Sequence, residues 1–310
     1  MPQRFHTRLM QPADWDEVAQ LIYNSLNVWY EKNRGFKLVT GSWETMRIFP
    51  EVYEALDPNC CVLVVETQSS RIAGSCFFHV RSKHVALGIL NTHPDFFNCG
   101  VASMLQRYVM DVADRENKPL RLVSGATNVD SFSLYNRNGF VPTCFYQDMI
   151  VKVPADGFPV PLEDGIAVRN AVESDIPAMV ALEEELTGVE REKDYRFFLK
   201  NEGGIWHTSV LLTSDNKLGG FIASVCHPGS NMLGPGVARC EEYASALLRF
   251  ELNQHIGRSP VFLIPSRCKK LTADMYSIGA KNCELHISQV RGEEFPQTGI
   301  VFPTFMPETA

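Results

Sequence analysis

Two short stretches carry residue types and spacings that suit chemistry. The first is HPDFFNCGVASML, residues 93–105, which sets Asn98, Cys99 and Gly100 between a pair of aromatics and an apolar run. It reads as a tight turn opening a helix, either an anion cradle or a strand-to-helix corner. Gly100 has no Cβ, so a ligand or another backbone can come close. Val101, Ala102 and Ser103 then carry the first amides of a helix, which have no intrahelical acceptor and favour phosphate. No Lys-Ser/Thr pair follows the glycine and no GxGxxG pattern is present. This is therefore neither a nucleoside-triphosphate loop nor a dinucleotide fingerprint. The second stretch is NVDSFSLYNRNGF, residues 128–140. Here Asn128, Ser131, Leu134, Tyr135, Gly139 and Phe140 follow the spacing N-x-x-[AS]-x-x-L-Y-x-x-x-G-F.

The elements that must position these residues come from an internal repeat. TRLMQPADWDEVAQL, starting at Thr7, parallels VRNAVESDIPAMVAL, starting at Val168, so that Arg8 matches Arg169, Asp14 matches Asp175 and Leu21 matches Leu182. Each reads as a strand followed by an amphipathic helix. Asp14 with Glu17 suggests a capping box, and Pro177 suits a first helical turn. CVLVVETQSSRIAGSCFFHV and SVLLTSDNKLGGFIASV both read as β-hairpins, with Gly74 matching Gly220. Next come VALGILNTH and NMLGPGVA, each a strand leading into a helix. Each copy ends near a short helix that stops at glycine, Gly139 in one and Gly279 in the other. The first copy carries extra residues in WYEKNRGFKLVTGSWETMRIFPEV.

The Pro-, Gly- and acid-rich stretch VPADGFPVPLEDG reads as a linker. The expected organisation is a domain over 1–153, a linker over 154–164 and a second domain over 165–310. Each domain is α/β (α+β), with a mixed sheet flanked by helices. The tail VFPTFMPETA has two prolines and is expected to dock as an extended strand.

Composition limits the function. The chain has 310 residues, 45% of them hydrophobic and 21% charged, which suits soluble globular domains. The net charge of −7 without a basic run argues against a nucleic-acid partner. No apolar stretch is long enough to cross a membrane. The opening segment lacks a positive-then-apolar secretion signal, so the expectation is a mature cytoplasmic protein. The nine cysteines are scattered and form no paired CxxC, so neither a metal site nor a disulfide framework is expected.

The strand-turn-helix with Gly100, followed by the Asn128–Phe140 pattern in the same copy, resembles the GNAT superfamily of acetyl-CoA-dependent N-acyltransferases. The resemblance covers residues 4–153 well, and residues 165–292 only by element order. It implies two tandem GNAT-like domains. Leu90, Asn91 and Thr92 would lie where one strand splays from the next and would hold the thioester and pantetheine arm of acetyl-CoA. Asn98, Cys99, Gly100, Val101, Ala102 and Ser103 would wrap its pyrophosphate. Asn128 would touch the pantetheine or position its helix. Tyr135 would stand near the sulfur as the catalytic acid. The family's Gln or Arg position is Phe97 here, which removes a side-chain donor and leaves the backbone amides. Val123 occupies the position where some relatives carry a glutamate base.

Other candidates weigh less. His84 and His93 read as surface or supporting residues more readily than as a base. Cys99 reads as an amide donor more readily than as a nucleophile. Trp29, Tyr30, Phe36 and Trp43 are either acceptor-site lining or core. Aligned by its residues, the second copy places Tyr243 at Gly100, Glu241 and Glu242 at Asn98 and Cys99, Cys268 at Asn128 and Met275 at Tyr135, so it has lost the site. The expected activity is transfer of an acetyl group from acetyl-CoA, by direct attack in a ternary complex, to a small-molecule or peptide amine. The alternative is a non-catalytic acyl-CoA-binding or regulatory module. The expected assembly is a monomer with pseudo-dimeric domains or a homodimer.

Overall fold

The computed structural model describes residues 4–307. Two compact units are distinguished. The first takes in the chain up to Val80, His84–Leu120 and the tail from Phe305; the second takes in Arg81–Lys83 and Arg121–Thr304.

The first unit runs β1 (Phe5–Leu9), α1 (Trp15–Arg34), α2 (Ile48–Leu56), β2 (Cys61–Glu66), β3 (Ile72–Val80), β4 (Val85–Thr92) and α3 (Val101–Glu116). The sheet order is β1-β2-β3-β4, antiparallel throughout. Helices α1 and α3 pack on this sheet, and β2 and β3 are buried almost end to end. That is why both strands read as unbroken apolar runs instead of alternating ones. Gly74 is set by close approach: a Cβ there would stand 2.6 Å from Val101 Cγ1 and 2.8 Å from the Asn91 carbonyl.

The second unit runs β5 (Leu120–Gly125, its first residue closing the first unit), α4 (Val129–Arg137), β6 (Val141–Ile150), β7 (Ala167–Asn170), α5 (Ile176–Thr187), α6 (Glu192–Lys200), β8 (Trp206–Leu212), β9 (Leu218–His227), β10 (Ser230–Ala238), α7 (Glu241–Leu252), β11 (Val261–Pro265), α8 (Lys269–Ser277), β12 (Lys281–Arg291) and β13 (Ile300–Phe302). Its strand order is β5-β12-β6-β11-β10-β9-β8-β7, with β13 on β10. The last long strand of the second copy, β12, therefore lies between β5 and β6 of the first. It pairs antiparallel with β6 from Lys281 to Val290, and its Leu285 carbonyl accepts from the Ala126 amide at 2.8 Å. Strand β6 takes β11 of the second copy on its other side.

The repeat is visible in side chains. Arg8 donates to both Asp14 oxygens at 2.6 and 2.8 Å, and Arg169 does the same to Asp175 at 2.7 and 2.8 Å. The backbone amides of Gln11 and Val172 donate to those carboxylates at 2.7 and 2.8 Å. The capping box expected of Asp14 and Glu17 is not formed. Asp14 is held by Arg8, and Glu17 Oε1 accepts from the Ile72 amide at 2.8 Å, fastening α1 to β3. Gly220 repeats the close approach of Gly74, its added Cβ falling 2.7 Å from Leu247 Cδ1.

Both hairpins form as read, as β2–β3 and β8–β9. Pro177 lies in the first turn of α5. The linker stretch is irregular and is pinned by Asn253, which accepts from the Phe158 amide at 2.7 Å and donates to its carbonyl at 2.9 Å. Only the start of the tail forms the expected strand, Val301 and Phe302 in β13 on β10; residues 303–307 lie beyond that strand, and 308–310 lie outside the described ones.

Candidate functional site

In the first unit, Leu90, Asn91 and Thr92 end β4. Between the pairs Leu87–Phe78 and Leu90–Cys76 the register slips by one residue, so β4 bulges just before them. A bulge re-aims the strand end and breaks its ladder there. Asn91 is buried, and its Oδ1 accepts from Ser25 Oγ of α1 at 2.6 Å. Asn91 Nδ2, Thr92 Oγ1 and the hydroxyl of Ser75, the residue paired with Asn91, are buried with no hydrogen-bond partner among the described residues. Buried polar atoms are normally satisfied. Three orphans at one strand end fit a polar chain such as a pantetheine arm laid along β4.

A short turn follows. The His93 amide donates to the Ala73 carbonyl at 2.9 Å, and His93 Nδ1 accepts from the Asp95 amide at 3.2 Å. The backbone then takes two left-handed residues, Asn98 at φ 62° and Gly100 at φ 82°. Asparagine and glycine are the residues that tolerate this. The first intrahelical bond of α3 runs from the Met104 amide to the Gly100 carbonyl at 3.1 Å. The amides of Val101, Ala102 and Ser103 precede it and have no acceptor in the helix. A Cβ on Gly100 would meet nothing within 4 Å, so the turn is uncrowded at that point.

Two cations missed from sequence flank the turn. Arg71 Nη2 pairs with Asp95 at 2.8 Å, with its guanidinium 5.3 Å from the Phe96 ring centre. Arg4 lies 5.9 Å from the same ring, and its Nη1 is 3.8 Å from Cys99 Sγ. No pattern in the sequence marks either arginine, because one precedes β1 and the other a hairpin strand. Burial holds the His93 pKa below its usual range, the Asp95 carboxylate opposing and the Arg71 charge assisting. His93 is therefore neutral at pH 7. His84, expected as a surface or supporting residue, is fully buried. Of the aromatic segment, Trp29 and Tyr30 are half-buried with ring centres 5.0 Å apart, and Phe36 is 49% exposed.

In the second unit, Asn128 caps α4, its Oδ1 accepting from the Ser131 amide at 3.2 Å. Tyr135 is buried on the same helix, its ring 5.6 Å from that of Phe140. The helix stops at Gly139 with φ 84°, as α8 stops at Gly279 with φ 86°. Val123 lies half-buried on β5.

The second copy differs at the equivalent turn more than residue alignment suggests. Only Arg239 and Cys240 separate β10 from α7, whereas residues 93–100 separate β4 from α3. The cradle is deleted rather than charged. Glu241 and Glu242 lie in the first turn of α7 and are spent on α8: Glu241 Oε2 accepts from the Leu271 amide and Glu242 Oε1 from Lys270 Nζ, both at 2.8 Å. Leu271 stands to Cys268 as Ser131 stands to Asn128, so Glu241 supplies the cap that Cys268 does not make.

One unit thus brings together a strand bulge, a left-handed turn and a helix N-terminus. Residues 21–140 match the acetyltransferase (GNAT) family model. The chain's fold over nearly the whole length is that of solved GNAT proteins. A provisionally assigned acetyltransferase from Pyrococcus horikoshii aligns at 14% identity with a TM-score of 0.72, covering 96% of this chain and 94% of that one. A GCN5-related N-acetyltransferase from Sphaerobacter thermophilus aligns at 17% identity and TM-score 0.65, covering 96% and 99%. A tandem GNAT protein from the clavulanic acid biosynthesis pathway aligns at 13% identity and TM-score 0.63, covering 94% and 100%. A search of curated proteins returns no significant match. Among the described residues no helix is long and apolar enough to cross a membrane, and no cluster of His, Cys, Asp or Glu could hold a metal ion.

Proposed function

We propose that this protein transfers an acetyl group from acetyl-CoA to a small-molecule or peptide amine, and that residues 1–153 and 165–310, joined by 154–164, are the two copies of a duplicated GNAT domain. The observation that carries the reading is the row of amides at Val101, Ala102 and Ser103, behind the left-handed Gly100, that have no acceptor in the helix. Asn98 and Cys99 would wrap the pyrophosphate with them, although the Cys99 amide itself donates to the Phe96 carbonyl at 3.2 Å, and Leu90, Asn91 and Thr92 would hold the pantetheine arm and thioester. Asn128 would act by setting the start of the helix that bears Tyr135.

In the proposed reaction the neutral amine attacks the thioester carbonyl directly. The C–N bond forms and the C–S bond breaks, its electron pair leaving on sulfur. Tyr135 gives the thiolate a proton and regains one from water, and the amine loses its extra proton to solvent. A phenol near pKa 10 in its reference state suits a thiol leaving group. A strand-end amide would donate to the developing oxyanion, which is typically worth about 3 kcal/mol. Val123 cannot accept a proton, so no β5 carboxylate serves as base. The same Val123 favours a second reading, a module that binds acyl-CoA without turnover. An assay of thiol release from acetyl-CoA over a panel of amines separates them: an enzyme releases coenzyme only with an acceptor present.

A further inference from the structure

The second unit holds a small cavity, part of it open to solvent. Three of its lining residues are Arg121 of β5, Arg191 of the α5–α6 connection and Gln289 of β12. Each has one buried donor with no partner among the described residues: Arg121 Nη2, Arg191 Nη1 and Gln289 Nε2. Arg191 is 2% exposed and Gln289 1%. The other ends of the three side chains are fixed. Arg121 Nη1 donates to the Thr187 carbonyl at 3.3 Å, and its guanidinium lies 4.8 Å from the Phe295 ring centre. Arg191 Nε donates to Glu183 at 3.0 Å, and Ser124 Oγ donates to Gln289 Oε1 at 3.3 Å.

Of the two lining arginines, Arg191 has an ion pair, with Glu183 at 3.0 Å, and Arg121 has none among the described residues. Nearby, Arg81 and Asp194 form a closed two-pronged pair at 2.8 and 2.7 Å. Glu183 is shared between Arg191 and the Tyr195 hydroxyl, and burial raises its pKa. Glu294, the other lining carboxylate, is exposed; its charge favours the Arg121 cation, but no ion pair joins the two among the described residues. Burial, and then the charge of Arg191, push the Arg121 pKa down to about 10. Buried donors left without an acceptor are costly, and an anion among these three would satisfy them.

We infer that Arg121, Arg191 and Gln289 form a binding site for a small oxyanion, a carboxylate or a phosphate, inside the second unit. Planar guanidinium donors recognise both groups, often in pairs of parallel bonds. The inference is independent of the acetyl-transfer reading, and its test needs no coenzyme. The full chain is titrated calorimetrically at pH 7 with sodium acetate and, separately, with sodium phosphate, against chloride at matched ionic strength. The site predicts saturable binding of one anion per chain, and the arm that saturates names the source. Arg121→Met should weaken that binding about tenfold or more, the loss of a charge-assisted bond. Gln289→Met, which removes no charge, should weaken it by less and decides the matter if Arg121→Met does not fold. The inference is overturned if neither anion saturates beyond chloride, or if folded variants bind as the parent does.

Discussion

Arg8 grips Asp14 with two hydrogen bonds, at 2.6 and 2.8 Å, and the pair is reproduced atom for atom by Arg169 and Asp175. In each copy the arginine ends the first strand and the aspartate precedes the first helix, so one pair fixes the corner between them. The arginine's hydrogen bonds are the main reason each carboxyl titrates below its usual range, with burial opposing and a backbone amide adding to the effect. A lowered folded-state pKa contributes stability above the unfolded value, near 3.9, and loses it as pH falls through the folded value. Asp14→Asn and Asp175→Asn should each cost about 1 kcal/mol at pH 7. Each should also flatten the loss of stability below about pH 4. Urea melts at pH 7 and pH 3 measure both effects; equal losses for a variant at the two pH values would contradict the assignment.

Gly100 sits at φ 82° with open space around its missing Cβ. Gly100→Ala should therefore cost about 1–2 kcal/mol of backbone strain and create no clash. Gly100→Asp adds a negative charge in front of the Val101–Ser103 amides and should abolish acetyl-CoA binding while the fold persists. Calorimetry beside circular dichroism separates loss of binding from loss of structure.

Tyr135→Phe removes only the phenol. The acid role predicts a fall of about 10²–10⁴ in kcat with coenzyme affinity unchanged. A turnover within a few-fold of the parent would remove Tyr135 from the chemistry and leave it a packing residue against Phe140.

The caps of α4 and α8 come from different places, Asn128 for one and Glu241 for the other. Asn128→Ala and Glu241→Ala should each destabilise the chain by about 1 kcal/mol. Asn128→Ser should restore most of the first loss, because serine also caps. Chemical denaturation of the four proteins, parent included, checks this.

Much of this was legible in the sequence because it was written twice. Two glycines matching Gly74 and Gly220, and the Arg8 and Arg169 corners, are local constraints that survive duplication. The turn at Asn98–Gly100 was legible because few residues accept a left-handed backbone. The insertion of β12 between β5 and β6 was not. Strands β6 and β12 have nearly the same burial pattern, so hydrophobic periodicity cannot say which copy each strand pairs with. Residue alignment also missed the shortened β10–α7 connection, because it slid Glu241 and Glu242 into a loop that no longer exists. The Arg121–Arg191–Gln289 cluster was illegible for a related reason: its members come from β5, β12 and a helix connection, far apart in the chain.

The central claim is that residues 98–103 wrap the coenzyme's diphosphate, with the Val101, Ala102 and Ser103 amides as its donors. A crystal structure of the protein with coenzyme A tests it most directly. The account predicts diphosphate density within hydrogen-bond distance of the Val101, Ala102 and Ser103 amides, with the pantetheine arm running to Asn91. Diphosphate bound at the start of α7, or a coenzyme that avoids the Gly100 turn, would contradict it.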